Sequence, residues 1–454
     1  MAVRGTTTRG KTIVLEGEMV IRGLAEGKEL RSWTLGVDCG EQRHRFVLLD
    51  EYKERQGSQW VDNRADKVQA ALMRQLVNLP EGYRLEIVTE GIRSIGGMVY
   101  QAATELGIQV WQVNPKALDH YRDLEGQPRK DDDRDADLLA RMRVNGVEGC
   151  RLALDSRPEE RVLCRLTRLH TQLVEQRKQT MSRVRSRLLE LSPEVVGSSW
   201  TGPGYNSEGM RAVLERWPGF EGLERARVST VERLLRSRMR KGERCRGMAQ
   251  GLVEMAGRIR LEGAERSVVT MELGLAMQQL RLTKASLAEV DKEIRQAVEG
   301  HEVGWRLLEM PGVGHFTAGV LIGELLPLAR CESEGKVATY AGVTPLSRRS
   351  GKKGGPSRLA RGVNKHAVRA LYLSAVSAKN RSALDRAYYQ KQLERHQGHP
   401  KPHVKSFLSL SRQRFKVMYK LLTSDVRYDK ERLISSHLKR QELEKAKKSR
   451  RPAA

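Results

Sequence analysis

The sequence predicts an α/β domain in the first third of the chain, followed by regions that are mainly helical. Between residues 33 and 143, short β-branched or apolar runs alternate with amphipathic stretches, which is typical of a mixed sheet flanked by helices. The chain has 454 residues, of which 5% are aromatic and 30% are charged, so it can form about three domains and favours helices. The fold class is therefore α/β plus α.

The predicted elements follow from the spacing of apolar residues. Strands are expected at 34–38, 46–49, 85–88 and 108–111, and helices at 62–79, at 95–106 and from 132 to 142. From 157 to 192, apolar residues recur at three- and four-residue steps, which predicts a long exposed helix resembling a coiled-coil arm. Prolines and glycines between 192 and 219 predict a hinge, and a second helical arm is expected over 229–298.

Charge and cysteine content limit the function classes. The chain carries 82 Lys and Arg against 56 Asp and Glu, a net charge of +26, which favours nucleic acid as a partner. The five cysteines form no C-x-x-C pair, so neither a disulfide framework nor a zinc site is expected. The most apolar stretch, 316–328, is interrupted by Glu324 and is too short to span a membrane. With no export signal apparent, we expect a cytoplasmic protein and no membrane partner.

Four carboxylates stand where phosphodiester chemistry would need them. Asp38 ends the first predicted strand, Glu90 follows a later one, and Asp132 and Asp135 share a face at a helix start. Such a set suits two Mg²⁺ ions, which activate a nucleophile and stabilise a leaving oxygen. The alternative for each residue alone is an ordinary helix-start acid or loop carboxylate.

The last third of the chain offers two features for binding nucleic acid. Residues 311–314 form a Gly-x-Gly turn before an amphipathic helix, which resembles a phosphate-binding hairpin or is an ordinary helix cap. Residues 347–369 contain no acid, although a solvated charge run usually carries both signs. The candidate nucleic-acid-binding residues there are Arg348, Arg349, Lys352, Lys353, Arg358, Arg361 and Lys365.

Several motifs together resemble one family. The first half combines Asp38, Glu90 and the helix start Lys-Asp-Asp-Asp-Arg-Asp-Ala at 130–136. The second half has Pro-Gly-Val-Gly at 311–314, Ala-Gly-Val-Thr-Pro at 341–345, Ser350-Gly351 and Asn364-Lys365. This pattern is similar to the DEDD insertion-sequence transposases of the IS110 family, which includes the pilin-gene invertases.

The resemblance implies a domain layout. It places an extension of unknown role at 1–32, a RuvC-like domain of ribonuclease H fold at 33–150 and a helical, coiled-coil linker region at 151–300. A mostly helical C-terminal transposase domain at 301–428 and a basic tail at 429–454 complete the chain.

The resemblance also implies roles for residues. Asp38, Glu90, Asp132 and Asp135 would be catalytic ligands of Mg²⁺, and Ser350 the nucleophile, with Ser347 as the fallback and Ser357 a distant third. Asp131 stands where the family has a small hydroxyl residue, so the register of the aspartate run is open by one residue. Asp131 and Asp135 would also share a helix face, so Asp131 is the alternative to Asp132 as a metal ligand.

The implied function is that of an insertion-sequence transposase, a DNA recombinase that cuts and rejoins DNA through a phosphoserine intermediate. Its implied partners are donor and target DNA, a noncoding bridge RNA that guides it, and further protomers in a dimer or tetramer, at the bacterial nucleoid. One alternative is a RuvC-like, Mg²⁺-dependent nuclease or junction resolvase that uses water. Another is an inactive nucleic-acid-binding derivative.

Overall fold

The computed structural model describes residues 3–6, 12–15, 31–92, 94–126, 131–147, 149–153, 156–197, 200–239, 244–344 and 363–429. The chain forms two compact units, residues 1–155 and 156–454.

The first unit is built on a six-stranded mixed sheet. Its strands, with a separate antiparallel pair β1–β2, are β1 Val3–Thr6, β2 Thr12–Leu15, β3 Arg31–Cys39, β4 Arg43–Leu49, β5 Arg55–Asp62, β6 Tyr83–Thr89, β7 Gln109–Val113 and β8 Cys150–Leu152. The strand order is β5-β4-β3-β6-β7-β8, in which β3, β6 and β7 are parallel and the other pairs antiparallel. The predicted α/β domain is confirmed.

Helices cover both faces of this sheet. They are α1 Ala65–Val77, α2 Gly97–Glu105, α3 Pro115–Leu124 and α4 Asp132–Val144. Leu35 and Val37 of β3 pack with α1 and α2, because alternate side chains of a strand point to opposite faces. Val88 of β6 packs on the other face against Leu139 of α4. The even-numbered residues of β3 and β6 therefore face α4.

Sequence periodicity did not predict β5 or α3. Strand β5 lies at the edge of the sheet and buries only Val61, so it lacks the apolar alternation of a half-buried strand. Helix α3 begins at Pro115 and is capped by Asn114, whose side chain accepts a hydrogen bond from the Lys116 N–H. Helix α3 also has helical apolar spacing, at Ala117, Leu118 and Tyr121, a signal that sequence reasoning missed.

Strand β3 and helix α4 are in backbone contact at Gly36. A Cβ atom at this position would lie 1.8 Å from the carbonyl oxygen of Ala136, so only glycine allows the approach. We expect Gly36→Ala to lower the free energy of unfolding of this unit by about 3 kcal/mol, measured by urea denaturation. Gly57→Ala is the control, because nothing lies within 4 Å of that position; equal losses in both variants would contradict the close-contact argument.

The second unit is helical throughout its described residues. Its helices are α5 Pro158–Leu191, α6 Glu208–Arg216, α7 Val228–Arg238, α8 Cys245–Ala256, α9 Gly263–Glu299, α10 Gly304–Leu308, α11 His315–Val320, α12 Leu326–Ala329, α13 Glu334–Tyr340, α14 Lys365–Arg381, α15 Ala383–Arg395 and α16 Pro402–Thr423. A π-helical turn, Leu321–Leu325, joins α11 to α12.

The long helix predicted over 157–192 is observed as α5. The second arm predicted over 229–298 is not one helix, because three helices, α7, α8 and α9, share that stretch. Leu235, Leu252 and Leu273, one from each helix, pack in a single apolar core with residues of α5 and α6. Burial in this core therefore decided how the middle of the chain folds. Among the described residues, no helix has the length and apolar character needed to cross a membrane.

Candidate functional site

Asp38 and Glu90 lie side by side at the ends of two parallel strands. Val37 of β3 is paired with Thr89 of β6, so the next residue on each strand is a carboxylate. Asp38 is an even-numbered position of β3 and points to the face that α4 covers, and Glu90 directly follows the end of β6. The backbone carbonyl of Glu90 accepts a hydrogen bond from Gln112 Nε2 at 3.2 Å, which fixes this strand end to β7.

The start of α4 lies at the same edge of the sheet. Arg45 of β4 is paired with Asp38, and its Nε donates to Asp133 Oδ1 at 2.7 Å. Arg55 of β5 also donates to both Asp133 oxygens. Hydrogen bonds from Arg55, and then from Arg45, hold the pKa of Asp133 below its usual value. Asp133 therefore anchors the helix start beside Asp38.

The other aspartates of this run have different surroundings. Asp131 is the N-cap of α4, and its side chain accepts a hydrogen bond from the Asp133 N–H. Asp132 is exposed and makes no ion pair with any residue that the structure describes. It lies four residues before Ala136, the residue in contact with β3, so it is on the helix face turned to the sheet.

Asp135 is buried, with 3% of its surface exposed, and is held by Arg122 of α3. Arg122 donates to the same oxygen, Oδ1, from Nε at 3.1 Å and from Nη2 at 2.8 Å. The second oxygen of Asp135 takes no part in this pair. Hydrogen bonds of this kind orient the carboxylate ligands of metal sites, and they equally stabilise a buried ion pair without a metal.

Cys39 follows Asp38 on β3, and its thiol points to the opposite face of the sheet, toward α1 and α2. Burial first, with Asp38 and Glu90 adding to it, raises the pKa of this thiol to about 11, although a hydrogen bond with Thr89 opposes the shift. The Cys39 thiol is therefore protonated near neutral pH.

The donor set at this sheet edge fits Mg²⁺ by its chemistry, because it consists of carboxylate oxygens only. In the described parts of the chain, however, no three His, Cys, Asp or Glu side chains are placed so that they could hold an ion together. The backbone brings Asp38 and Glu90 together and sets the start of α4 beside them. The four predicted ligands thus share one edge without forming a closed cluster.

A second polar group lies inside the helical unit, centred on Glu324 of the π-helical turn. Arg168 of α5 donates to both Glu324 oxygens, at 2.6 and 3.0 Å. Cys164 Sγ and Asn364 Nδ2 also donate to this carboxylate, at 3.1 and 2.9 Å. Burial alone would raise the pKa of Glu324, but these partners, led by Arg168, hold it below its usual value.

Asn364 connects this group to the backbone on both sides of 345–362. Its side chain caps α14, and its N–H donates to the carbonyl of Tyr340 at 2.8 Å. The chain therefore leaves α13 and re-enters α14 at neighbouring points. Ser347, Ser350 and Ser357 lie between these points, outside the described residues, as do Arg348, Arg349, Lys352, Lys353, Arg358 and Arg361. Lys365 is described and exposed.

Removing Arg168 should destabilise the helical unit. We expect Arg168→Met to lower its free energy of unfolding by about 2 kcal/mol at pH 7, because Glu324 is left charged and buried, while Arg168 itself is partly exposed. In the wild-type protein, the lowered pKa of Glu324 means that its contribution is complete above the ordinary carboxyl pKa of about 4.3 and is lost as the pH falls through the lower, folded value.

The loss on substitution should therefore shrink in acid, where Glu324 becomes protonated in both proteins. Urea unfolding at several pH values measures it. Arg165→Met, at an exposed position of the same helix, is the matched control. A destabilisation independent of pH would contradict the role given to the Glu324 charge.

The turn at 311–314 has a positive φ of 80° at Gly312, where a Cβ atom would collide with the backbone of Ala378 in α14. The hairpin is therefore packed against α14, and its phosphate-binding role stays a prediction.

Sequence reasoning missed the cations that organise both groups. Arg45, Arg55 and Arg122 are distant in sequence from the aspartates they bind, so no local pattern pairs them. Glu324 gave one signal, as a charge inside the apolar stretch 316–328. A buried charge needs a partner, but the sequence does not say which of many arginines supplies it.

Known protein families match both the part of the chain with the four carboxylates and the part with Glu324. A family described as "Transposase", of the DEDD IS110 type, matches residues 35–193, and the "Transposase IS116/IS110/IS902 family" matches residues 305–390. The chain belongs to the IS110 family of transposases. The first match includes all four predicted carboxylates, and the second includes Glu324, Ser350 and Asn364.

Relatives of this IS110-family transposase resemble it over most of their length. The "Insertion element IS110 uncharacterized 43.6 kDa protein" of Streptomyces coelicolor is 25% identical over 87% of this chain and 95% of its own. The IS116 protein of Streptomyces clavuligerus is 25% identical over 86% of this chain and 94% of its own. The "Mini-circle putative transposase for IS117" of Streptomyces coelicolor is 24% identical over 70% and 77%, respectively.

Membership in this family makes the protein an insertion-element transposase, an enzyme whose substrate is DNA. Transposases of the DEDD type typically depend on metal ions.

Proposed function

We propose that this transposase cuts DNA by forming a phosphoserine link at Ser350, with Asp38, Glu90, Asp132 and Asp135 binding Mg²⁺. The observation that carries the proposal is the pairing of two carboxylates at adjacent strand ends, with the acidic start of α4 fixed beside them. Carboxylate oxygens are the donors that Mg²⁺ prefers, and the backbone supplies them from adjacent strand ends. When bound, Mg²⁺ would neutralise charge on the reacting phosphate and polarise the attacking and leaving oxygens.

Other residues of the chain would orient the catalytic groups and bind the DNA. Asp133 holds the start of α4 and Arg122 holds the Asp135 carboxylate, so this part of the site is oriented before DNA binds. Glu324, Arg168 and Asn364 fix the backbone on both sides of the segment that contains Ser350. The cations around Ser350 in the sequence bind the phosphodiester and stabilise negative charge on it.

The chemical step exchanges one phosphate ester for another. The Ser350 oxygen loses its proton and forms a bond to phosphorus, while one bridging P–O bond of the DNA breaks and its sugar oxygen gains a proton. Since the ester bond is conserved on the serine, a sugar hydroxyl of another strand can take over the phosphate and release Ser350 without an external energy source.

The proposal also includes how the DNA sites are selected and how the protein assembles. A noncoding bridge RNA pairing with donor and target DNA would select the sites, and a net charge of +26 suits a protein that holds RNA and DNA together. We assign the active form to a homo-oligomer, a dimer or a tetramer.

A second candidate function is a metal-dependent nuclease or junction resolvase, favoured by the carboxylate edge taken alone. In that case water attacks the phosphate, and no DNA stays attached to the protein. An inactive binding derivative, the third candidate, would bind DNA but cut none.

The test is a covalent-trapping experiment with the full chain, the RNA that copurifies with it and labelled DNA from the flanks of its gene. The mixture is run on a denaturing protein gel with Mg²⁺ or with EDTA. We expect a labelled protein band that depends on Mg²⁺. Cleaved DNA without such a band would establish the nuclease, and intact DNA in all lanes would establish the inactive derivative.

A further inference from the structure

An exposed tryptophan lies on the same face of the sheet as the carboxylates. Trp60, on the edge strand β5, has 41% of its surface exposed. Arg43 and Arg45 of β4 place their guanidinium carbons 4.0 and 5.2 Å from the centre of its ring. A large aromatic ring left open beside cations is the usual composition of a surface that stacks nucleobases.

Strand register connects this ring to the proposed catalytic edge. Trp60 is paired with Arg45, Arg45 with Asp38, and Glu90 is the neighbour of Asp38 on the next strand. Trp60, Arg45 and Asp38 form one row across three strands and point to the same face, and Glu90 directly follows the end of the next strand, β6. Since neighbouring strands are about 4.8 Å apart, the Trp60 backbone lies roughly 10 Å from that of Asp38.

The three arginines of β4 and β5 differ in whether they form ion pairs. Arg45 and Arg55 share the carboxylate of Asp133, which removes one of their two charges. Arg43 is exposed and, within the described ranges, makes no ion pair, although Asp62 is its partner in strand register. Its guanidinium stacks on Trp60 and keeps its hydrogen-bond donors for a phosphate.

We infer that Trp60 and Arg43 form a subsite for an unpaired DNA strand, in which Trp60 stacks a base and Arg43 binds a backbone phosphate. The inference rests on the proposed function, because the strand is the one whose phosphodiester lies at Asp38 and Glu90. The distance from Trp60 to Asp38 places the stacked base within a few nucleotides of the cleavage point. An aromatic ring contacts any base, so the subsite holds the strand without selecting its sequence.

The direct test is photo-crosslinking of the full chain with a single-stranded DNA that carries 5-iododeoxyuridine. Digestion with trypsin should give an adduct on the peptide 56–64, which contains Trp60 as its one aromatic residue. The adduct should persist in Asp38→Ala, which cannot cleave if the proposed function is correct. Loss of cleavage with a retained adduct therefore separates the subsite from the catalytic proposal.

Binding measurements give the size of the effect. We expect Trp60→Ala to weaken the binding of single-stranded DNA between about five-fold and a hundred-fold, with the salt dependence unchanged. Arg43→Gln should reduce the slope of log K against log salt by about 0.7, as one phosphate contact is lost. Tyr52→Ala, which removes a more exposed aromatic ring in the same hairpin, should change neither.

Three results would overturn the inference. These are an adduct outside 56–64, unchanged affinity in Trp60→Ala, or stronger crosslinking of an RNA strand than of a DNA strand at this peptide. If Trp60→Ala fails to fold, Trp60→Phe, which keeps a stacking ring, and Arg43→Gln decide the question. Near wild-type affinity in Trp60→Phe and a reduced slope in Arg43→Gln support the subsite, and wild-type slope in Arg43→Gln refutes it.

Discussion

A Ser350→Ala protein is expected to form no covalent adduct with DNA and to lose strand transfer completely. In the proposed mechanism the Ser350 oxygen is the atom that bonds to phosphorus, and alanine has no replacement for it. The measurement is the trapping gel described above, with DNA binding followed in parallel. We expect DNA affinity within about two-fold of wild type, because the substitution removes a neutral hydroxyl while binding depends on charge.

Two other serines supply matched controls. Ser347→Ala and Ser357→Ala remove the same hydroxyl group from the same basic segment, and both proteins should keep the adduct. If Ser347→Ala loses the band and Ser350→Ala keeps it, the nucleophile is Ser347. A band that survives all three substitutions would exclude a serine of this segment from the reaction.

The described residues on either side of 345–362 are held by a buried polar group. The N–H of Asn364 donates to the carbonyl of Tyr340, so the backbone is held at 340 and at 364. Asn364 also donates to the buried carboxylate of Glu324, which is held by Arg168.

The second large effect is expected at Asp132. Asp132→Asn should reduce DNA cleavage by at least about a hundred-fold, because a neutral amide is a much weaker Mg²⁺ ligand than a carboxylate. The thermal unfolding temperature should stay the same, since Asp132 is exposed and pairs with no cation in the part of the chain that the structure describes. The cleavage rate and the unfolding temperature are the two measurements.

Substitutions at Asp131 and Asp133 are the controls, and they decide which aspartate of the run is the metal ligand. Asp131→Asn should keep full activity, because asparagine caps a helix as well as aspartate does. Asp133→Asn should lower the free energy of unfolding by about 1 kcal/mol, since it weakens the ion pairs with Arg45 and Arg55. Loss of cleavage in Asp131→Asn but not in Asp132→Asn would assign the ligand to Asp131.

The sequence predicted the α/β domain, the strands around Asp38 and Glu90, the helix start at Asp132 and the helix α5. These elements have local signals: apolar runs, helical spacing and an acidic first turn. The edge strand β5 was not predicted because it buries one apolar residue, and the 229–298 arm was divided by packing that acts at long range.

The sequence by itself determined which residue types are available, namely the carboxylates at strand ends and the charge that selects nucleic acid. Tertiary structure alone decided their partners: Arg122 with Asp135, Arg45 and Arg55 with Asp133, and Arg168 with Glu324. The reason is physical. A buried or partly buried charge must be compensated within a few ångströms, and only the folded chain brings together pairs such as Arg168 and Glu324, which are 156 positions apart.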